Sequence, residues 1–142
     1  MTLDILRLMI DAGFMVLIWA VQLVIYPSFS YYSTTNLYTW HKSYTKRVTF
    51  IVLPLMFSQL ILGVIQLWMS QNWYTLVSMG IIMTLWLLTF LVFVPLHQSI
   101  DTKKSVARVC EKLVVGNWMR TVLWTLLFIA SLIYQIMNYR IS

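Results

Sequence analysis

Four long apolar runs constrain this chain more than any other feature. They cover about residues 5–26, 48–69, 74–96 and 118–137, and each is near the roughly 20 residues that a helix needs to cross the hydrocarbon core of a bilayer. Because lipid cannot hydrogen-bond to the backbone, such runs cross a membrane as helices. The sequence therefore predicts an all-α integral membrane protein with one domain, residues 1–142, folded as an up-down-up-down four-helix transmembrane bundle.

Composition and charge support this class. The chain has 142 residues, of which 61% are hydrophobic and 10% charged, against about 25% charged in soluble domains. The net charge of +6 lies at the edges of the apolar runs, so the lipid bilayer is the predicted partner and nucleic acid is not. Cys110 is the single cysteine, which excludes an internal disulfide and a CxxC redox pair.

The positions of proline, glycine and helix-capping residues predict where the helices begin and end. Pro27 is expected to end the first span, and Thr34 or Thr35 to cap a second helix that begins near Asn36. Residues 70–72 form a short uncharged turn. Residues 99–116 are expected to form a short cytoplasmic amphipathic helix between spans three and four, broken from the last span at Gly116.

The basic residues predict the orientation of the chain. Seven lie in the first and third connections, and none lies in the second: Lys42, Lys46, Arg47, Lys103, Lys104, Arg108 and Lys112. By the positive-inside rule these connections are cytoplasmic, and both termini are extracytoplasmic.

Polar and aromatic residues gather at the predicted cytoplasmic end of every span. They are Gln22, Tyr26, His41, Tyr44, His97, Asn117 and Arg120. Helical spacing places Trp19 with Gln22 and Tyr26, and Trp124 with Arg120. It also places Trp86, Phe90, Phe93 and His97 in one stripe. We predict a pocket with aromatic walls that opens toward the cytoplasm and carries His, Arg, Asn and Gln side chains.

Each of these residues also has an ordinary structural interpretation. A histidine at a membrane interface can be a tolerated polar residue, and Arg120 can extend to lipid phosphates. Near the outer end of span one, Arg7 and Asp11 lie one turn apart and are expected to pair. Gln59, near the middle of the membrane, is expected to form a helix–helix hydrogen bond.

A faint repeat joins the first and third runs. Residues 23–27 (LVIYP) resemble residues 91–95 (LVFVP), and each follows a tryptophan by a similar interval. This pattern is typical of two like hairpins, although similarity among apolar segments explains it equally well.

These motifs resemble a family of small bacterial four-span inner-membrane proteins, largely uncharacterised, over nearly the whole chain. The matching positions are Trp19, Gln22, Tyr26, Pro27, His41, Pro54, Met56, Trp86 to Phe90, Val94 to His97 and Asn117 to Trp124. Relatives often carry an acidic residue where this chain has Gln59. If that carboxylate binds a metal or carries a proton in the relatives, this chain is expected to lack the activity or to perform it differently. The layout is also distantly similar to anthrone-oxygenase-type membrane proteins. The resemblance implies a bacterial inner-membrane location and the four-span fold.

The first functional hypothesis is a redox cofactor site. His41 and His97 are predicted to be axial ligands of a b-type haem, or ligands of a transition metal together with Tyr44, Asn117 or water. Arg120 would pair with a propionate, and Trp86 and Trp124 would pack on the porphyrin. A quinone-like or aromatic substrate fits the same pocket, with hydrogen bonds to His97 or Gln22. The nearest acid, Asp101, is expected to lie in the loop.

The second hypothesis is a non-enzymatic protein that binds or transports an anion, a lipid head group or another small molecule through Arg120, Asn117 and the histidines. The bulky residues in the interior argue against a pore. A homo-oligomer, which the sequence leaves open, could still form a pore between its copies.

Overall fold

Four long helices make up the fold. The computed structural model describes residues 2–102 and 106–141. We label the helices α1, Thr2–Tyr31; α2, Thr34–Met69; α3, Trp73–Asp101; and α4, Val106–Ile141. All four are long and apolar enough to cross a membrane, which confirms the predicted all-helical, transmembrane-capable class.

Apolar side chains cover the outside of the helices, and polar side chains lie between them. Phe50 is 85% exposed and Trp68 is 89% exposed, whereas Arg7, Asp11 and His41 are fully buried. This distribution suits a lipid environment, in which exposed apolar side chains cost nothing and charged groups need protein partners.

The end of α1 and the start of α2 both differ from the prediction. Pro27 does not end the first helix, which continues as a short α-helical turn, Tyr26–Ser28, and a 3-10 turn, Phe29–Tyr31. Proline is tolerated here because it lies near the start of a new helical segment, where its missing N–H is not needed. The cap of α2 is Ser33, whose side chain accepts a hydrogen bond from the backbone N–H of Asn36 at 3.4 Å. The prediction of Thr34 or Thr35 as the cap was wrong.

The predicted amphipathic helix is not a separate element. α4 is continuous through Gly116, so residues 106–116 are its first three turns. A helix interior tolerates a single glycine at a cost of about 1 kcal/mol, and Gly116 lies against Phe93 of α3, where an added Cβ would be 3.6 Å from the ring. Lys103 and Lys104, which the orientation argument uses, lie outside the described residues.

The turn at residues 70–72, between α2 and α3, lies where the sequence predicted it. Asn72 caps α3 by accepting a hydrogen bond from the backbone N–H of Thr75, while the Thr75 hydroxyl accepts one from the backbone N–H of Asn72. This reciprocal capping box fixes the tight turn between α2 and α3.

α1 and α3 share one irregular feature. Each contains a five-residue π-helical turn, Val21–Ile25 in α1 and Thr89–Phe93 in α3. Each turn ends two residues before a proline, Pro27 or Pro95, so the faint sequence repeat has a structural counterpart. A π turn contains an extra residue, which rotates the following side chains by about 100° relative to a regular helix.

Candidate functional site

A chain of four hydrogen-bonded side chains lies at one end of the helices. The Asp101 carboxylate is 2.8 Å from Nδ1 of His41, and Nε2 of His41 is 2.8 Å from Nδ1 of His97. Nε2 of His97 is 3.0 Å from the Tyr26 hydroxyl. We call these four residues the relay. They come from α1, α2 and α3, and the relay uses all four ring nitrogens of the two histidines.

With Asp101 ionised and both histidines neutral, the relay has one consistent direction of donation. If both histidines carry their proton on Nδ1, Tyr26 donates to His97, His97 donates to His41, and His41 donates to Asp101. The side chain of Asp101 is 42% exposed, whereas His41 is fully buried. The relay therefore connects a buried hydroxyl to a carboxylate that water can reach.

Asp101 is the member of the relay that the sequence analysis assigned to a loop. It is the last residue of the α-helical segment Val94–Asp101, one turn after His97 and on the same helix face. The spacing of four between His97 and Asp101 is the signal that could have identified it.

A cavity of about 180 Å³ lies next to the relay and is lined by residues of all four helices. Tyr26 and His97 of the relay reach its wall, together with Tyr44, Arg120 and Trp124. The other lining residues are mainly apolar: Phe14, Leu17, Ile18, Val21, Val48, Thr49, Val52, Leu53, Met56, Thr89, Phe90, Phe93 and Val94. The volume is below the roughly 300–1,000 Å³ that drug-sized ligands occupy, so the cavity suits one small ring or a short chain.

Arg120 is the buried cation of this cavity. It is 7% exposed, and its guanidinium lies 4.2 Å from the ring centroid of Phe93 and 5.1 Å from that of Trp124. It also lies beside the Tyr26 hydroxyl. Its Nε atom is buried without a hydrogen-bond partner, and no residue named in the cavity wall is acidic. A buried cation in such a place favours a ligand that brings an electron-rich oxygen.

The remaining predicted residues lie behind the cavity wall. Asn117 donates to the side-chain oxygen of Gln22 at 2.9 Å, and Gln22 donates to the backbone carbonyl of Val114 at 3.1 Å. Among the described residues, neither amide is in the cavity lining, and His41 and Trp86 are not either. Gln22 and Asn117 join α1 to α4, whereas His41 acts on the cavity only through His97.

The predicted aromatic stripes are only partly correct. Trp124 is 1% exposed and stacks on Phe14 at 4.7 Å. Trp19 was predicted to line the interior but is 36% exposed, and it donates a hydrogen bond to Thr125. Phe90 is 42% exposed although it belongs to the same predicted stripe as the buried Phe93. The two π turns explain these differences, because they break the regular spacing that the prediction assumed.

Two residues of the cavity wall, Thr49 of α2 and Phe90 of α3, have side chains exposed at the protein surface. The wall of the cavity therefore includes residues that lie on the outside of α2 and α3.

The geometry does not fit the predicted haem or metal. The two imidazole rings are hydrogen-bonded to each other, with centroids 5.1 Å apart and an interplanar angle of 27°. Axial ligation by both would require each ring to direct a free nitrogen at opposite faces of a porphyrin. Within residues 2–102 and 106–141, no group of three or more His, Cys, Asp or Glu side chains is placed to hold a metal ion.

A second buried polar cluster lies at the opposite end. Nε of Arg7 is 3.0 Å from both carboxylate oxygens of Asp11, and both side chains are fully buried. Gln59 donates to Asp11 at 2.6 Å, and Ser131 donates to its other oxygen. Arg7 also donates to Gln66 at 3.2 Å. This cluster joins α1, α2 and α4, and it confirms both the predicted pair and the predicted helix–helix bond of Gln59.

Comparisons with models of protein families, with curated protein sequences and with solved structures gave no match. The function proposed below therefore rests on the cavity and the relay.

Proposed function

We propose that this protein binds a membrane-soluble quinone- or phenol-type molecule in the cavity and, when that molecule carries a phenolic hydroxyl, exchanges the proton of the hydroxyl with water. The observation that carries the proposal is Arg120. Arg120 lines an otherwise mainly apolar cavity, and its buried Nε has no hydrogen-bond partner. The wall of the same cavity includes Tyr26, the inner end of the relay.

Binding combines apolar and charge-assisted contacts. The ring of the ligand packs against the aromatic wall, and an oxygen accepts a hydrogen bond from Arg120. Thr49 and Phe90 of the cavity wall are exposed at the protein surface, and we propose that the ligand enters between them from the bilayer with its apolar tail still in lipid. A free inorganic anion gains nothing from this apolar wall, which favours the ring-bearing ligand over the anion alternative.

Proton exchange uses the relay in concert. A phenolic O–H transfers its proton to the Tyr26 oxygen while the Tyr26 proton moves to Nε2 of His97. The Nδ1 proton of His97 moves to Nε2 of His41, and the Nδ1 proton of His41 moves to Asp101, which releases it to water. The positive charge of Arg120 stabilises the oxyanion that remains on the ligand. The reverse sequence delivers a proton to a ligand oxygen.

The location belongs to the same proposal. The basic residues Lys42, Lys46, Arg47, Arg108 and Lys112 flank the relay end of the helices, so we place that end at the cytoplasmic face of a bacterial inner membrane, with both termini outside. Asp101 then exchanges protons with the cytoplasm.

The Asp101→Asn variant tests the relay. Asparagine can accept the hydrogen bond of His41, but its amide cannot take up the proton, so transfer through the relay should slow by about 100-fold or more while ligand affinity stays the same. The measurement is a stopped-flow pH jump with a bound alkyl nitrophenol, whose absorbance reports its ionisation.

The matched control is Glu111→Gln, which removes an exposed carboxylate from α4 without touching the relay. It should exchange protons at the wild-type rate. Equal rates in Asp101→Asn and wild type would rule out proton movement through the relay.

A further inference from the structure

The Thr89 hydroxyl lacks a backbone hydrogen bond that is common among the threonines of the described helices. Six threonines in or at the ends of the described helices donate their hydroxyl to the carbonyl four residues earlier: Thr39, Thr45, Thr84, Thr102, Thr121 and Thr125. The Thr89 hydroxyl oxygen is buried and has no such partner. It is therefore an unused hydrogen-bonding group inside the protein, where such a group costs about 1–3 kcal/mol.

This hydroxyl belongs to a residue of a π turn. Thr89 is the first residue of the turn Thr89–Phe93, and its backbone N–H already donates to the carbonyls of both Leu85 and Trp86. π turns occur often at functional sites, because the extra residue directs a side chain away from its regular position. Here the hydroxyl belongs to a residue of the cavity wall.

Two unpartnered polar atoms thus belong to the wall of one cavity. Among the described residues, the buried atoms that lack a partner and lie on cavity-lining residues are Nε of Arg120 and Oγ1 of Thr89. They come from α4 and α3. A ligand with one oxygen at Arg120 leaves the Thr89 hydroxyl unsatisfied, whereas a ligand with a second oxygen satisfies both atoms.

We infer that Thr89 is a specificity-determining residue that binds a second oxygen of the ligand, so the ligand carries two oxygens on its ring, as quinones and hydroquinones do. The inference rests on the proposed function and narrows its ligand class. A hydroquinone donates to or accepts from the Thr89 hydroxyl, and a quinone accepts from it.

The test compares two probes with the same alkyl chain, a hydroquinone with two para hydroxyls and a phenol with one. Binding is measured by equilibrium titration of the full-length protein in nanodiscs. The wild-type protein should prefer the hydroquinone by about 2- to 10-fold, the value of one net hydrogen bond. Thr89→Val keeps the shape of the side chain, so it should remove this preference by weakening the hydroquinone alone.

Thr84→Val is the matched control. Thr84 lies in the same helix, is exposed, and donates to the Gly80 carbonyl, so this variant should keep the wild-type preference. Equal binding of the two probes by wild type, or a preference that survives in Thr89→Val, would overturn the inference and leave the proposed function intact. If neither probe binds in a way that depends on Arg120, the proposed function itself fails.

Discussion

Asp11→Ala is expected to destabilise the fold strongly. The variant leaves Arg7 fully buried without its carboxylate partner, and breaking a buried ion pair on one side costs about 3–5 kcal/mol. It also removes the carboxylate that accepts hydrogen bonds from Gln59 and Ser131. Since total stabilities are about 5–15 kcal/mol, the midpoint of thermal or SDS unfolding should fall sharply, or the protein should fail to accumulate.

Two further variants show whether the unpaired buried charge of Arg7 causes the loss of stability. The double variant Arg7→Met/Asp11→Leu removes both charges and should recover most of the lost stability, because well-packed apolar residues often replace a buried ion pair without loss. Glu111→Ala, which removes an exposed carboxylate, should unfold like wild type. A double variant as unstable as Asp11→Ala would contradict this explanation.

Arg120→Met is expected to weaken ligand binding strongly without destabilising the fold. The methionine retains apolar contact with Phe93 and Trp124 but removes the charge-assisted hydrogen bond to the ligand oxygen. Such bonds contribute about 1.5–3 kcal/mol, so the dissociation constant of a quinone-type probe should rise by about 10- to 150-fold. Isothermal titration calorimetry in nanodiscs measures this change.

The stability of the same variant distinguishes a ligand-binding role from a structural one. Arg120 is a buried cation whose cavity contains no acidic residue, so its removal should leave the unfolding midpoint unchanged or raise it. Arg108→Met, which removes an exposed arginine of the same helix, should affect neither property. A large loss of stability in Arg120→Met would assign the residue to the fold rather than to binding.

Hydrophobicity was sufficient to predict the helices. Runs of about 20 apolar residues have few alternatives to a membrane-spanning helix, and the turn around Asn72 has an unambiguous capping pattern. Pro27 and Gly116 were wrongly predicted to end helices, because proline and glycine often do so. Both are tolerated inside long helices when neighbouring helices support the backbone.

The site was predicted at the level of residues but not of contacts. Tyr26, His41 and His97 were expected to lie together, and they do. Their direct hydrogen bonding depends on the rotation of each helix, which packing sets and a single sequence does not reveal. The π turns add to this uncertainty, because the residue inserted at Val21–Ile25 changes the spacing that would place Trp19 and Tyr26 on one helix face. The unpartnered hydroxyl of Thr89 has no signal in the sequence at all.

The most direct test of the cavity is quenching of tryptophan fluorescence by a benzoquinone with a short isoprenoid tail, titrated into the protein in nanodiscs. Trp124 lines the cavity, so a bound quinone should quench a saturable fraction of the emission. Trp124→Phe should remove that fraction, and Arg120→Met should shift it to higher quinone concentrations. Quenching that rises linearly with quinone, identically in wild type and in both variants, would mean that the molecule only dissolves in the bilayer, and it would contradict a binding site in this cavity.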